Sequence, residues 1–235
     1  LRRRGMKFVY IRSDRVNPIK ALRKVDSDTS LIVVYLHYLD LMGHLHGISS
    51  REFKYSLKAV DRMSKVIVNM VRDKMGDVRL MVFSDHGMVE PRHYINLWDL
   101  VIRSEHGKDY LLFLDSTMIH VWYFNVRGER IVRKRLEGLS CGRFLGESER
   151  KELGIWFGNR WYGDEIFLLE PDYQIFPNYI SRVKPRAMHA YHPDYLHQHG
   201  MAILPHGGFS GGVIGIPELT ATICRLLNIT LKCGE

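Results

Sequence analysis

Apolar and polar positions along this chain follow two alternating periods. SLIVVYLHYLD, Ser30 to Asp40, is a short β-branched and aromatic run that predicts a buried strand. SSRE at Ser49 to Glu52 then reads as a capping box, and apolar residues from Phe53 to Val71 recur at steps of three and four, predicting a helix with one core-facing stripe. Gly76 is the expected stop, and VRLMVFSDHG supplies the next apolar run. The order strand, loop, helix, strand suits a right-handed parallel crossover, so the expected fold class is α/β. The texture changes between Leu111 and about Tyr179. YLLFLDSTMIHVWYF reads as a pair of strands, SERKELG as a short helix with a glycine stop, and DEIFLLEPDYQIFP as a second strand pair about a turn at Glu170 to Asp172. Together these predict a small accessory β-rich subregion at about 107–180. IPELTATICRLLNI returns to helical spacing, with Pro217 near its first turn and Leu219, Ile223, Leu226 and Leu227 on one stripe.

Composition narrows this picture only slightly. With 235 residues, 46% of them apolar and 26% charged, the chain is long enough for one α/β core. Its longest apolar stretch, Leu31 to Leu36, falls far short of the roughly 20 residues that span a bilayer, so a soluble chain with no membrane contact is expected. LRRRGMKFVYIRSD carries charge with no continuous apolar segment behind it and does not read as a secretory signal. Cys141, Cys224 and Cys233 are odd in number and widely spaced, which argues against a disulfide framework or a thiolate zinc site and points to a reducing, cytoplasmic setting. The net charge of +8 fits nucleic acid, an anionic surface or a phosphorylated small substrate alike. The densest basic cluster, Arg127, Arg130, Arg133, Lys134 and Arg135, lies in an expected helix without interleaved aromatics. It reads as a solvated face, and nucleic acid is not the expected partner.

Candidate chemistry changes the picture more. YLHYLDLMGHLHG, Tyr35 to Gly47, sets one aspartate and three histidines within thirteen residues. Asp40 and His44 flank Gly43, Asp85 and His86 adjoin at the end of the next apolar run, and His189 follows in MHAYHPD. Carboxylate oxygens and neutral imidazoles are the donors of catalytic zinc or manganese, as against the thiolates of structural zinc. Strand carboxyl ends in open parallel sheets gather such groups. DLMGH or SDHG alone is equally well a capped turn with a hydrogen-bonded histidine. The two together read as metal-binding and suit a pair of ions about 3.5–4 Å apart, the arrangement that clamps a phosphoryl displacement. His37, inside the apolar run, reads as a satisfied core histidine, and His192 is the reserve ligand. His46, His197, His199 and His206 read as neighbours of the site or surface groups.

LDLMGHLHG, FSDHGM and MHAYHPD, in this order and spacing, resemble the type I phosphodiesterase and nucleotide pyrophosphatase branch of the alkaline phosphatase superfamily. FLDSTMIHVWYF and IFLLEPDYQIFPNY extend the resemblance over nearly the whole chain. The resemblance implies a largely parallel sheet sandwiched by helices and two divalent metal ions, zinc foremost and manganese as the alternative. It places one ion on Asp40, His44 and His189 and the other on Asp85 and His86. The late motif reads HAY where that family usually has glycine after the histidine. The family also implies, upstream of D-x-x-x-H, a further metal-binding aspartate and a Thr or Ser nucleophile at a helix N-terminus. Only 39 residues precede Asp40, and Ser13, Ser27, Thr29 and Ser30 lack that context. The expectation is therefore the C-terminal portion of one catalytic domain, spanning 1–235, with most metal ligands and no nucleophile. The implied activity is hydrolysis of phosphodiester or nucleotide pyrophosphate bonds in a small phosphate-ester or nucleotide substrate, through a covalent phospho-enzyme. A phosphomonoesterase or phosphonate hydrolase of the same superfamily, or a non-catalytic metal-binding remnant, is the alternative. The sulfatase signatures C-x-P-x-R and S-x-P-x-R do not occur.

Overall fold

The two sequence periods become alternating strands and helices in the computed structural model of the chain, which describes residues 5–205 and 212–229. In chain order these are β1 (Phe8–Arg12), α1 (Pro18–Leu22), β2 (Leu31–Tyr35), α2 (Tyr38–His46), α3 (Arg51–Met75), β3 (Val82–Phe83), β4 (His93–Ile95) and α4 (Trp98–Val101). There follow β5 (Tyr110–Leu114), β6 (Met118–Tyr123), α5 (Val126–Leu136), β7 (Gly142–Phe144), α6 (Glu147–Glu152), β8 (Glu165–Leu169) and β9 (Tyr173–Ile175). A 3₁₀ turn at Leu196–Gln198, β10 (Ala202–Ile203) and α7 (Ile216–Leu226) complete the described elements. The expected α/β class holds. The chain divides into two compact units, one of 1–42, 49–85 and 200–235 and one of 43–48 and 86–199. His206 and Cys233 lie outside the described residues.

In the first unit β1 and β2 pair in parallel, from Phe8 opposite Leu31 to Arg12 opposite Tyr35. Ile11, Leu22, Val25 and Ile67 are buried together, with Met63, Met70 and Val71 of the α3 stripe packed against them. α3 begins one residue later than SSRE suggested. Its cap is Ser50, whose Oγ accepts the Phe53 N–H at 3.0 Å, and Gly76, at φ 79°, ends it as expected. The strand expected from Ser30 to Asp40 stops at Tyr35, and Asp40 falls in α2. The reason lies in composition: after Val34 no β-branched residue occurs before Gly47, and that stretch is rich in Leu, Met, Tyr and His, which a helix accepts. Asp40 in the first turn complements the helix dipole. The crossover reading placed the VRLMVF run beside SLIVVY in one sheet. Instead β3 pairs antiparallel with β10, so β2 and β3 lie in different ladders. That pairing continues through Ser84, whose N–H donates to the Met201 carbonyl at 2.9 Å. A side chain at Gly200 would put Cβ 2.4 Å from the Ser84 carbonyl oxygen.

The second unit is built on a four-stranded antiparallel sheet in the order β5-β6-β8-β7. YLLFLDSTMIHVWYF forms its hairpin, with Tyr110 opposite Tyr123 and Leu114 opposite Ile119. Leu112, Leu114, Ile119 and Val121 alternate inward onto Val132 and Leu136 of α5, in one cluster of fully or almost fully buried side chains. The basic cluster occupies the other side of α5, where Arg133 forms ion pairs with Glu129, Glu137 and Glu165. The turn at Glu170 to Asp172 forms, with the Tyr173 N–H on the Glu170 carbonyl at 2.9 Å. The strands either side of it are not partners, however: β9 pairs in parallel with β4. The turn itself redirects the chain, because the Asp172 carbonyl accepts the N–H groups of Arg92 and His93, both at 2.9 Å. Among the described residues, Cys141 and Cys224 are free thiols, and no helix is long and apolar enough to cross a membrane.

Candidate metal centre

Three imidazoles come together in the second unit. His44 stands in the last turn of α2, His86 follows β3, and His189 lies in the segment between β9 and the 3₁₀ turn. The His86 and His189 rings stack with centroids 3.7 Å apart and planes 20° apart. The His44 ring is tilted by 52° at 5.2 Å from His189. All three are half-buried.

Backbone carbonyls set the orientation of two of these rings. His44 Nδ1 is 2.8 Å from the Ala187 carbonyl oxygen, and His86 Nδ1 is 2.8 Å from that of Gly87. A carbonyl only accepts, so in both rings the hydrogen bond assigns a proton to Nδ1, which in the neutral ring leaves the lone pair on Nε2. This is the tautomer and the kind of partner found behind metal-ligating histidines. The donor set therefore fits a divalent ion on chemical grounds. The late segment is tied down just ahead of His189: the Arg186 N–H donates to the His44 carbonyl at 2.7 Å, and Met188 and Val89 exchange two backbone bonds at 2.7 and 2.8 Å. The glycine of SDHG is needed because a Cβ at Gly87 would lie 2.2 Å from the His197 carbonyl oxygen.

The two carboxylates belong to the first unit. Asp40 is half-buried and one helical turn before His44 on α2, whereas Asp85 is exposed just after β3. The Tyr35 phenol, at the end of β2, is held above its ordinary pKa by burial first and then by the charges of Asp40 and Asp85. Both carboxylates thus add negative potential at the C-terminal end of β2.

The remaining histidines have other partners. His192 Nε2 lies 3.1 Å from Glu149 Oε1, and Arg143 grips the same carboxylate through both terminal nitrogens. That Arg143 contact chiefly pulls the Glu149 pKa down to about 2. His37 is half-buried and satisfied, with Nδ1 2.8 Å from Ser13 Oγ. His199 Nε2 is 2.9 Å from the Pro193 carbonyl oxygen, and His46 and His197 are exposed. Ser13 is tied to His37, and Ser27, Thr29 and Ser30 lie in the turns between α1 and β2, so none of the four stands at a helix N-terminus. Sequence reasoning missed the carbonyls of Ala187 and Gly87 as orienting groups. A backbone acceptor has no side-chain signature, so the sequence carried no signal for either one.

The sequence profile described as Type I phosphodiesterase / nucleotide pyrophosphatase matches residues 10–138. Among curated proteins, GPI ethanolamine phosphate transferase 1 of Mus musculus is 37% identical over 70 residues, 28% of this chain and 8% of that protein. The Homo sapiens protein of the same name is 42% identical over 64 residues, 25% of this chain and 7% of that one. The matched stretch thus spans less than a tenth of either relative. Murine ectonucleotide pyrophosphatase / phosphodiesterase 5, solved as an inactive variant in complex with AMP, superposes with a TM-score of 0.81 at 19% identity, covering 100% of this chain and 70% of that one. The human counterpart gives 0.76 at 19% identity, covering 94% and 61%. These likenesses establish a shared fold.

Proposed function

Because the chain belongs to the type I phosphodiesterase / nucleotide pyrophosphatase family, we propose that it is the metal-holding part of an enzyme that hydrolyses phosphodiester or nucleotide pyrophosphate bonds. The observation that carries this reading is the orientation of His44 and His86, each with Nδ1 on a backbone carbonyl and with its ring beside that of His189. Asp40, His44 and His189 would hold one ion and Asp85 with His86 a second, zinc being the expected metal and manganese the alternative. Bound divalent ions supply Lewis-acid polarisation of phosphoryl oxygens and neutralise charge developing there. The chain's own part is to present neutral imidazoles in a fixed tautomer and to offset the cationic charge with two carboxylates. Residues 107–180 are, in this reading, an accessory part of a single catalytic domain.

The family and two of the likenesses support the substrate class. The murine neighbour was solved with AMP, and the curated relatives are named for ethanolamine phosphate transfer. Transfer and hydrolysis share the attack on phosphorus and differ in the acceptor, so a small phosphate ester is the common substrate chemistry. We assign no nucleophile among Ser13, Ser27, Thr29 and Ser30, which lack a helix-start setting, and the second reading is a metal-binding remnant. A zinc titration of metal-stripped protein, run beside a panel of p-nitrophenyl mono- and diesters, separates them. Zinc uptake with diester turnover supports the hydrolase, uptake without turnover of any ester supports the remnant, and no uptake contradicts both.

A further inference from the structure

The residue after His189 holds a backbone conformation that its own side chain disfavours. Ala190 has φ 68°, in the left-handed region where Cβ crowds the following carbonyl. A non-glycine residue stays there when its surroundings over-determine it. Here the constraint falls on one peptide plane. The Ala190 carbonyl accepts the Thr117 hydroxyl at 2.7 Å, and at the other end of the same peptide the Tyr191 N–H donates to Gln198 Oε1 at 3.0 Å. Thr117 is 0% and Gln198 8% exposed.

Both side chains project from well-anchored backbone. Thr117 sits in the turn between β5 and β6, where its carbonyl accepts the Leu169 N–H at 2.9 Å and that of Ser116 accepts the Ile175 N–H at 2.8 Å. Gln198 ends the 3₁₀ turn, and its carbonyl accepts the N–H of Gly87, the neighbour of His86, at 2.9 Å. If Ala190 relaxed to negative φ with its nitrogen held in place, the 190–191 peptide would swing away from both partners. The Thr117 hydroxyl and the Gln198 amide oxygen would then each lose a buried partner, a penalty that opposes the change.

We propose that Thr117 and Gln198 are positioning residues. They lock the Ala190–Tyr191 peptide and thereby aim the His189 imidazole, so that the hairpin turn of the accessory sheet sets the metal affinity of the site. The proposal rests on His189 being a ligand. Contacts of this indirect kind typically change metal affinity by about 10–100-fold.

The test is zinc calorimetry and cobalt(II) absorption on metal-stripped protein, with thermal unfolding of each variant alongside. Thr117→Val, which keeps shape and removes the hydroxyl, is expected to weaken zinc binding by about tenfold or more and to shift the cobalt ligand-field bands. Thr117→Ser restores the hydroxyl and is expected to stay within about twofold of wild type. Adding Ala190→Gly to Thr117→Val is expected to recover part of the loss, because glycine adopts the left-handed setting without strain. A lowered unfolding temperature with unchanged zinc affinity and cobalt spectrum would overturn the proposal. Should Thr117→Val not fold, Gln198→Met is judged by the same two readouts. Wild-type protein that takes up neither metal would contradict the reading of His189 as a ligand and the positioning role with it, an outcome distinct from equal binding by wild type and variant.

Discussion

The strain at Ala190 predicts a stabilising substitution. A left-handed alanine costs roughly 1–2 kcal/mol, while glycine brings about 0.5–1 kcal/mol of extra chain entropy. Ala190→Gly in the otherwise native protein is therefore expected to raise the unfolding free energy by about 0.5–1 kcal/mol in urea denaturation, and a decrease would mean that the residue is not strained. The departure of HAY from the family's glycine was visible in the sequence. Its consequence was not, because the partners of that peptide, Thr117 and Gln198, lie 73 and 7 residues away from their acceptor and donor. Asp85 makes the opposite kind of prediction. It is exposed, so Asp85→Ala should change the stability of metal-free protein by no more than about 0.5 kcal/mol while weakening the second zinc-binding step. Thermal unfolding and zinc titration of the same sample separate the two effects, and a loss of stability well beyond that limit would make the residue structural.

At the scale of elements, residue type set what formed and long-range pairing set where it stopped. α3, the β5–β6 hairpin and α6 follow local capping and periodicity, so they could be read directly. The end of β2 was legible in principle, since its β-branched run ends at Val34, yet the apolar residues beyond it suit a strand or a helix equally. The pairing of β9 with β4 was not legible, because it depends on the Asp172 carbonyl meeting Arg92 and His93 across 79 or 80 positions of sequence. α6 also carries a pH-sensitive contact. Arg143 holds the pKa of Glu149 at about 2 against an ordinary 4.5, so the contact stabilises the fold fully above about 4.5 and is lost as pH falls towards 2. Arg143→Met should lower the stability at neutral pH and flatten its decline between those limits. An acid-unfolding profile of unchanged steepness in that window would show that the pair does not couple to folding.

At the scale of the whole molecule, each of the two units has its own buried cluster. The sheet of the second unit is packed tightly, with Leu112 and its neighbours almost wholly removed from water. Leu112→Ala is expected to cost about 2–5 kcal/mol, measured by denaturant unfolding. The residues proposed as donors stand out in the sequence because Asp and His gather beside glycines in unusual density. The ring orientations were not legible there, since they depend on the carbonyls of Ala187 and Gly87. Those carbonyls place the lone pair of neutral His44 and His86 on Nε2, and this is where the metal reading is most exposed to test. Zinc-edge anomalous diffraction from crystals of zinc-loaded protein tests it most directly. The predicted result is a peak about 2.0–2.1 Å from Nε2 of both His44 and His189. A peak bonded through Nδ1 of His44, or zinc-loaded crystals with no peak at bonding distance from either imidazole, would contradict it.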